Sequence, residues 1–234
     1  MPQSNLGRHI FGTAVVGSGL ASLIWHHGPI YLYAPIAAQI AGGIAIQLRP
    51  AARVGAMIIG AGYLVLALRS IPGIIALPQV YYTWGNFFYP VADAIGAGAA
   101  YALLASAPPS KMWIRIGCIL FAMCNASFAI EQVEFLARTA SLVPKWIPPS
   151  QMFWAIITTA PFALAAIALI VNRVTMLATR LLAAMYWCFG LLVWVPILIT
   201  NPHTYSNWSE GTETVAIGAA AWLLADLIAR ARPT

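Results

Sequence analysis

The side chains in this sequence that could do chemistry stand near the ends of its apolar stretches, on one predicted side of the molecule. The candidates for binding a ligand there are His26, His27, Trp84, Glu131, Trp146 and Trp208. Polar and ionisable residues beside a membrane core are costly to keep and are often functional. We therefore predict that a ligand site, if the chain has one, lies at this rim.

Glu131 has no partner nearby in the sequence, which makes it the best candidate for a group that takes up a proton. A carboxylate at a wetted helix end is the plainer interpretation. His26 and His27 could bind a metal or haem, or exchange protons with a quinol. Cofactor sites in helical bundles use side chains inside facing helices, whereas these histidines stand at a predicted helix end and His9 falls on the opposite side. We predict no metal site, no certain cofactor, and a rim or lipid-headgroup role for this pair.

Other reactive motifs are missing from the sequence. Cys118 and Cys124 lie six residues apart and Cys188 is distant, so there is no C-x-x-C pair for disulfide exchange. We expect all three to be packing residues. The sequence also carries no phosphate-binding loop, hydrolase triad or nucleic-acid signature, so we predict no nucleic-acid partner and leave open whether the chain is an enzyme.

The composition is that of an integral membrane protein. Of 234 residues, 61% are hydrophobic and 8% are charged, whereas soluble domains carry roughly a quarter charged residues. Several apolar runs approach the roughly 20 residues that a helix needs to cross a bilayer. Because these runs are continuous and rich in Ala, Leu and Gly, we predict an all-α polytopic fold in a lipid bilayer, not a transmembrane barrel.

Hydropathy and Gly/Pro punctuation predict eight transmembrane helices. Their ranges are Ile10 to Trp25, Ile30 to Leu48, Arg53 to Leu68, Phe87 to Leu104, Trp113 to Ile130, Phe153 to Val171, Met176 to Ile199 and Thr212 to Ala229. With eight spans, nine of the 12 Lys and Arg residues share one side with both termini, and five of the 6 Asp and Glu residues lie opposite. Positive residues mark the cytoplasmic side, so both termini are predicted to be cytoplasmic.

The chain repeats itself at an offset of 124 residues. The pattern Pro-x5-Pro-x2-Tyr-x2-Trp recurs between two apolar runs, which matches Pro72, Pro78, Tyr81 and Trp84 to Pro196, Pro202, Tyr205 and Trp208. A parallel repeat with an even number of spans predicts two tandem four-helix bundles, residues 1–107 and 108–234. The main insertion in the second bundle is the proline-rich segment 143–149, which we expect to act as a membrane-surface lid.

Four charged residues are predicted to form structural ion pairs. Glu134 and Arg138 are spaced i,i+4 with the acid first, which favours pairing on a helix. Asp93 and Arg69 are both replaced in the second repeat, by Ile217 and Val193. Because the two charges disappear together, we expect them to pair with each other.

Two further acids, Glu210 and Glu213, flank the predicted start of the last helix. Negative charge is favourable there because it meets the positive end of the helix dipole, and Ser209 can cap the helix. We therefore predict that these acids cap and do not bind a ligand.

The second half resembles the DoxX-like family of small four-helix membrane proteins. The specific pieces are Val-Pro-x-Trp-Ile-Pro in the segment 143–149 and Phe153-Trp154-Ala155, within a resemblance that covers about 113–229; the first half is a weaker match. The resemblance implies a four-helix unit in a bacterial cytoplasmic membrane, and some members are subunits of thiosulfate:quinone oxidoreductases. Many relatives carry Gln-His near the end of the first helix, where this chain reads Ile130-Glu131-Gln132.

Three functions remain open at this point. The first is a membrane subunit or accessory of a redox system that binds a quinone or lipid-like molecule near the lid. The second is a non-catalytic scaffold that anchors the other subunits of a membrane complex. The third is a small-molecule transporter, which the repeat favours and its parallel sense disfavours.

Overall fold

The computed structural model describes residues 5–25, 28–107 and 109–231, and all regular structure within these ranges is helical. The first half contains α1 (Leu6–Trp25), a short 3-10 turn (Ile30–Leu32), α2 (Tyr33–Ala45), α3 (Ala52–Ala76) and α4 (Tyr81–Leu103). The second half contains α5 (Lys111–Glu134), α6 (Leu136–Leu142), α7 (Gln151–Ile170), α8 (Thr175–Phe189), a π-helical turn (Gly190–Trp194), α9 (Val195–Thr200) and α10 (Tyr205–Arg230).

Five of these helical stretches are long and apolar enough to cross a membrane. They are α3, α5, α7, the continuous stretch Thr175–Thr200 that joins α8 to α9, and α10. The chain is therefore an all-helical, membrane-embedded protein. The structure does not confirm the predicted count of eight spans, because α1, α2 and α4 lie outside this set.

Helices α3 and α4 extend past the predicted end at Leu68 and the predicted start at Phe87, and each contains a proline. Helix α3 continues through Pro72, and α4 begins at Tyr81 and continues through Pro90. A proline inside a helix frees the carbonyl four residues earlier, and in membranes a neighbouring hydroxyl often satisfies it. Here the Ser70 hydroxyl of α3 donates to the freed carbonyl of Asn86 at 2.8 Å.

The repeat is visible in the helix boundaries and in their hydrogen bonds. Helix α4 begins at Tyr81 and α10 begins at Tyr205, which is the same offset of 124 residues. The Trp84 indole donates to the Pro78 carbonyl at 3.0 Å, and the Trp208 indole donates to the Pro202 carbonyl at 2.7 Å. The repeated Pro and Trp positions are thus clamps that fix the chain just before each half's last helix.

The two halves interlock. Within each half successive helices pack on one another, as α1 on α2, α2 on α3 and α3 on α4, while α10 packs on α1 and α4 packs on α5. The last helix of each half therefore contacts the first helix of the other, and α1 packs mainly on α2 and α10. The predicted arrangement of two separate four-helix bundles is not confirmed.

A repeated tyrosine marks these two contacts between halves. The Tyr81 hydroxyl of α4 bonds the Ser127 hydroxyl of α5 at 2.7 Å. The equivalent Tyr205 hydroxyl of α10 bonds the Ser22 hydroxyl of α1 at 3.3 Å. The two halves thus make equivalent tyrosine–serine contacts with each other.

Helices α4 and α10 pack together and cross at Gly96 and Ala220, which are equivalent positions of the repeat. A Cβ atom built on Gly96 would overlap the Ala220 Cβ and would lie 3.2 Å from Cε2 of Phe11. Small residues let membrane helices approach closely, so the crossing depends on the missing Cβ.

Arginine side chains hold the end of the molecule where α1 and α5 begin, which we call the arginine face. Arg8 donates to the Ile46 carbonyl after α2, and Arg115 donates to the last carbonyls of α7. Arg230 donates to carbonyls at the end of α4, including that of Leu103 at 2.8 Å. Positive groups at helix C-termini satisfy unpaired carbonyls and favour the helix dipole.

The crossing predicts a position-specific effect of adding one methyl group. Gly96→Ala should lower the free energy of unfolding by about 1–3 kcal/mol, because the new Cβ overpacks the contact with Ala220. The matched control is Gly98→Ala on the same helix, where a built Cβ meets nothing within 4 Å. The measurement is thermal and denaturant unfolding in detergent, followed by circular dichroism. Equal stability of the two variants would contradict the described crossing.

Candidate functional site

A cavity of about 290 Å³ lies among the first-half helices and is closed on one side by α10. This is near the lower limit of the volumes of small-molecule pockets, about 300–1,000 Å³. Its polar lining comes from Ser18, Ser22, Gln39, Tyr63, Arg69, Tyr205, Ser209 and Glu213. Its apolar lining comes from Trp25, Leu32, Pro35, Ile36, Leu66 and Pro90. So many polar side chains around one cavity are unusual in a chain with 8% charged residues.

Helical periodicity aligns these polar groups. On α1, Ser18 and Ser22 are four residues apart and therefore share a face. On α10, Tyr205, Ser209 and Glu213 follow at the same spacing and present three polar groups along two turns. One face of each helix is thus turned into the cavity, and the opposite faces pack elsewhere.

The cavity carries groups of both signs without a direct ion pair between them. Arg69 stacks over the Tyr31 ring, with its guanidinium carbon 5.6 Å from the ring centre. Glu213 has no hydrogen bond or ion pair to any other residue in the described ranges. Arg69 supplies donors and Glu213 supplies acceptors. A ligand that both accepts and donates hydrogen bonds would satisfy them.

Asp93 lies next to this cavity and is fully buried, with 0% of its surface exposed. Neither carboxyl oxygen has a hydrogen-bond partner in the described parts of the chain. The Tyr63 hydroxyl lies near Asp93, Gln39 and Ser18 but makes no well-formed hydrogen bond to any of them. The predicted Asp93–Arg69 ion pair does not form, because Arg69 turns towards Tyr31 and the cavity. An unpartnered buried carboxyl is energetically costly, and ionisable residues inside a membrane protein are often functional. Both points favour a functional role for Asp93.

Glu131 has a partner that the sequence could not show, because the partner belongs to the other half. The Tyr89 hydroxyl of α4 donates to Glu131 Oε2 at 2.7 Å. The carboxyl group rests against Gly85, where a built Cβ would lie 3.2 Å from Glu131 Oε1. Glu131 is therefore held inside the contact between the halves and does not line the cavity.

The remaining charge predictions are also corrected. Helix α5 ends at Glu134 and α6 begins at Leu136, so Glu134 and Arg138 do not share one continuous helix. Arg138 instead pairs with Glu210 of α10 at 2.9 Å. Helix α10 begins at Tyr205 with no side-chain cap, so Glu210 and Glu213 lie inside the helix and cap nothing.

The segment Val143–Pro149, between α6 and α7, is held on α7. Gln151 donates to the Val143 carbonyl at 2.5 Å, and the Trp154 indole donates to the Pro148 carbonyl at 2.8 Å. The Trp146 side chain is 72% exposed. A tryptophan in this position suits the membrane interface, where aromatic rings anchor helices at headgroup level.

The four predicted ligand residues that the structure describes are thus not brought together. Trp84 and Trp208 are helix-start clamps, Trp146 points outward, and Glu131 bonds Tyr89. His26 and His27 lie outside the described residues. Gln39, Tyr63, Arg69 and one face of α10 line the cavity instead. In the sequence, the polar residues Gln39 and Tyr63 interrupt apolar spans, and this pattern could have indicated the site.

A second, larger concavity of about 490 Å³ lies on the other side of α1, against the π-helical turn, α9 and α10. Its lining among the described residues is almost entirely apolar, and His9, Thr13 and Thr212 contribute its polar side chains. Lipid tails need no polar partner, so this groove does not require a specific ligand. The smaller polar cavity is the better candidate for recognition.

Comparison of the chain with protein-family models, with curated proteins and with solved structures finds no match. The candidate site therefore stands on its geometry alone.

The absence of an Arg69–Asp93 pair is testable by a double-mutant cycle. We expect Arg69→Gln and Asp93→Asn to change the unfolding free energy additively, within about 0.3–0.5 kcal/mol. Arg180→Gln and Asp226→Asn form the matched control, because these two residues are an ion pair between α8 and α10. Their coupling energy should exceed about 0.5 kcal/mol. A coupling of similar size for Arg69 and Asp93 would contradict the described geometry.

Proposed function

We propose that this chain is a DoxX-like protein of the bacterial inner membrane that binds a quinone or a similar lipid-like molecule, as a membrane subunit or accessory of a redox system. The observation that carries the proposal is the polar cavity in the first half. Polar side chains from α1, α2, α3 and α10 converge there inside an otherwise apolar helical protein.

The lining suits the head group of a quinone. Its ring oxygens accept hydrogen bonds, and Arg69, Tyr63 and Gln39 carry donors. Gln39 is only 4% exposed, and the Tyr63 hydroxyl has no protein partner in the described ranges. Burying the Tyr63 hydroxyl without a well-formed hydrogen bond is costly, and a bound ligand would offset that cost. The aromatic and aliphatic walls, such as Trp25 and Leu66, would pack on the ring.

The distribution of charge supports one orientation in the membrane. Arg8, Arg115 and Arg230 lie at the arginine face, and the cavity lies towards the opposite rim with Trp25 and Tyr205. By the positive-inside rule the arginine face, and with it both termini, would be cytoplasmic. The cavity would then receive its ligand from the outer half of the bilayer.

The proposal predicts that the purified protein carries quinone and that the cavity residues retain it. We expect Tyr63→Phe and Gln39→Leu each to lower the quinone bound per mole of protein about fivefold, because each removes one hydrogen-bond donor. The matched control is Tyr82→Phe, whose ring is 59% exposed and does not line the cavity. The measurement is solvent extraction of protein purified in mild detergent, with the quinone quantified by its ultraviolet absorbance.

An alternative outcome would favour the scaffold function. Ligand binding would be contradicted by two results together. The purified protein contains no quinone, even after quinone is added, and it purifies with a stable partner subunit whether or not the cavity residues are changed.

A further inference from the structure

The repeat gives the cavity an internal reference, because the α10 face that lines it has an equivalent on α4. Subtracting 124 from Tyr205, Ser209 and Glu213 gives Tyr81, Gly85 and Tyr89. These three positions on α4 all contact α5 of the second half. The second half therefore shows what this helix face does when its site is filled by the protein itself.

In the second half the filling group is the Glu131 carboxyl. Tyr81 bonds Ser127 one helical turn before Glu131, Gly85 leaves room for the carboxyl, and Tyr89 donates its phenolic hydroxyl to Glu131 Oε2 at 2.7 Å. The contact is a phenol hydroxyl on the last helix donating to a carboxyl on the first helix. Hydrogen bonds to a charged acceptor are about twice as strong as neutral ones.

In the first half the hydrogen-bond acceptor lies on the last helix and not on the first. Tyr205 still bonds the serine of the first helix, Ser22, at 3.3 Å. The position of Tyr89, however, is taken by Glu213, so the last helix now presents a carboxyl in place of a phenol. Glu213 lines the open cavity and has no hydrogen bond or ion pair among the described residues. No described residue donates a hydrogen bond to the Glu213 carboxyl.

We infer that the first-half cavity binds a hydroxylated aromatic ring, a hydroquinone or related phenol, whose O–H donates to Glu213. The inference rests on the proposed function and adds the chemical form of the ligand. A quinone has only acceptor oxygens and cannot donate to Glu213, whereas its reduced form carries two hydroxyls. The second ring oxygen can still accept from the Arg69, Tyr63 and Gln39 wall.

The charges around the cavity agree with this assignment. Arg69 is the cation of the cavity lining and has no ion pair in the described ranges, so it can accompany a Glu213 carboxylate without occupying its oxygens. The second half has no such arrangement, because Val193, Ile217 and Trp187 replace Arg69, Asp93 and Tyr63. One site per chain is therefore expected.

The test uses the full chain in detergent and three soluble probes: trimethylhydroquinone, the corresponding benzoquinone, and the dimethyl ether of the hydroquinone. Binding is measured anaerobically by isothermal titration calorimetry. The hydroquinone should bind at least about tenfold more tightly than its dimethyl ether, since the ether has lost the O–H that donates to the Glu213 carboxyl. This comparison uses only the unchanged protein, so it does not depend on the folding of a variant.

The matching protein change is Glu213→Gln, which should weaken hydroquinone binding about tenfold and leave quinone binding within about twofold. Glu210→Gln, three residues earlier and turned to Arg138 on the rim, is the control and should leave both affinities unchanged. Equal binding of the hydroquinone and its dimethyl ether, or an unaltered Glu213→Gln variant, would overturn the inference.

Two further outcomes separate the inference from the proposed function. If hydroquinone and quinone bind equally and only Tyr63→Phe weakens them, the inference fails and the proposed function stands. If no probe binds, the proposed function fails with it. His26 follows Ser22 by the four residues that separate Glu131 from Ser127. If His26→Ala binds the hydroquinone more tightly than the unchanged protein does, then the imidazole is the partner that occupies Glu213 in the unchanged protein. That result would also overturn the inference.

Discussion

The close crossing of α4 and α10 is the constraint on which the rest of the structure depends. It brings equivalent residues of the repeat, Gly96 and Ala220, into contact. Membrane helices gain little from hydrophobic exclusion, so they associate through close packing of small residues. Because the two last helices cross here, each reaches the first helix of the other half, where Tyr81 bonds Ser127 and Tyr205 bonds Ser22.

The two halves keep this common frame but differ inside it. In the second half, Glu131 and Tyr89 form a hydrogen bond with each other. In the first half, Glu213 lines a cavity, and the Tyr63 hydroxyl and the Asp93 carboxyl lie beside each other without a well-formed hydrogen bond among the described residues. Buried polar groups are normally paired. The two halves thus treat equivalent positions differently: Glu131 is bonded within the protein, whereas Glu213 faces a cavity.

Sequence reasoning predicted the helical membrane class and the repeat, because both depend on local composition and on fixed spacing. It ended the third span at Leu68 and began the fourth at Phe87, whereas α3 continues through Pro72 to Ala76 and α4 already begins at Tyr81. It also missed the partners of Glu131 and Arg138, which lie 42 and 72 residues away in the chain. Such pairings follow from how the halves interlock, and no local pattern encodes that.

The central claim is that the first-half cavity holds a ligand and that its second-half equivalent is filled by Glu131. The most direct measurement is an electron cryo-microscopy structure of the protein reconstituted in nanodiscs with lipids from its own membrane. Our account predicts non-protein density bounded by Tyr63, Arg69 and Glu213, and a closed Tyr89–Glu131 contact in the other half. A cavity filled by the protein's own side chains, or ligand density between Glu131 and Trp146, would contradict it.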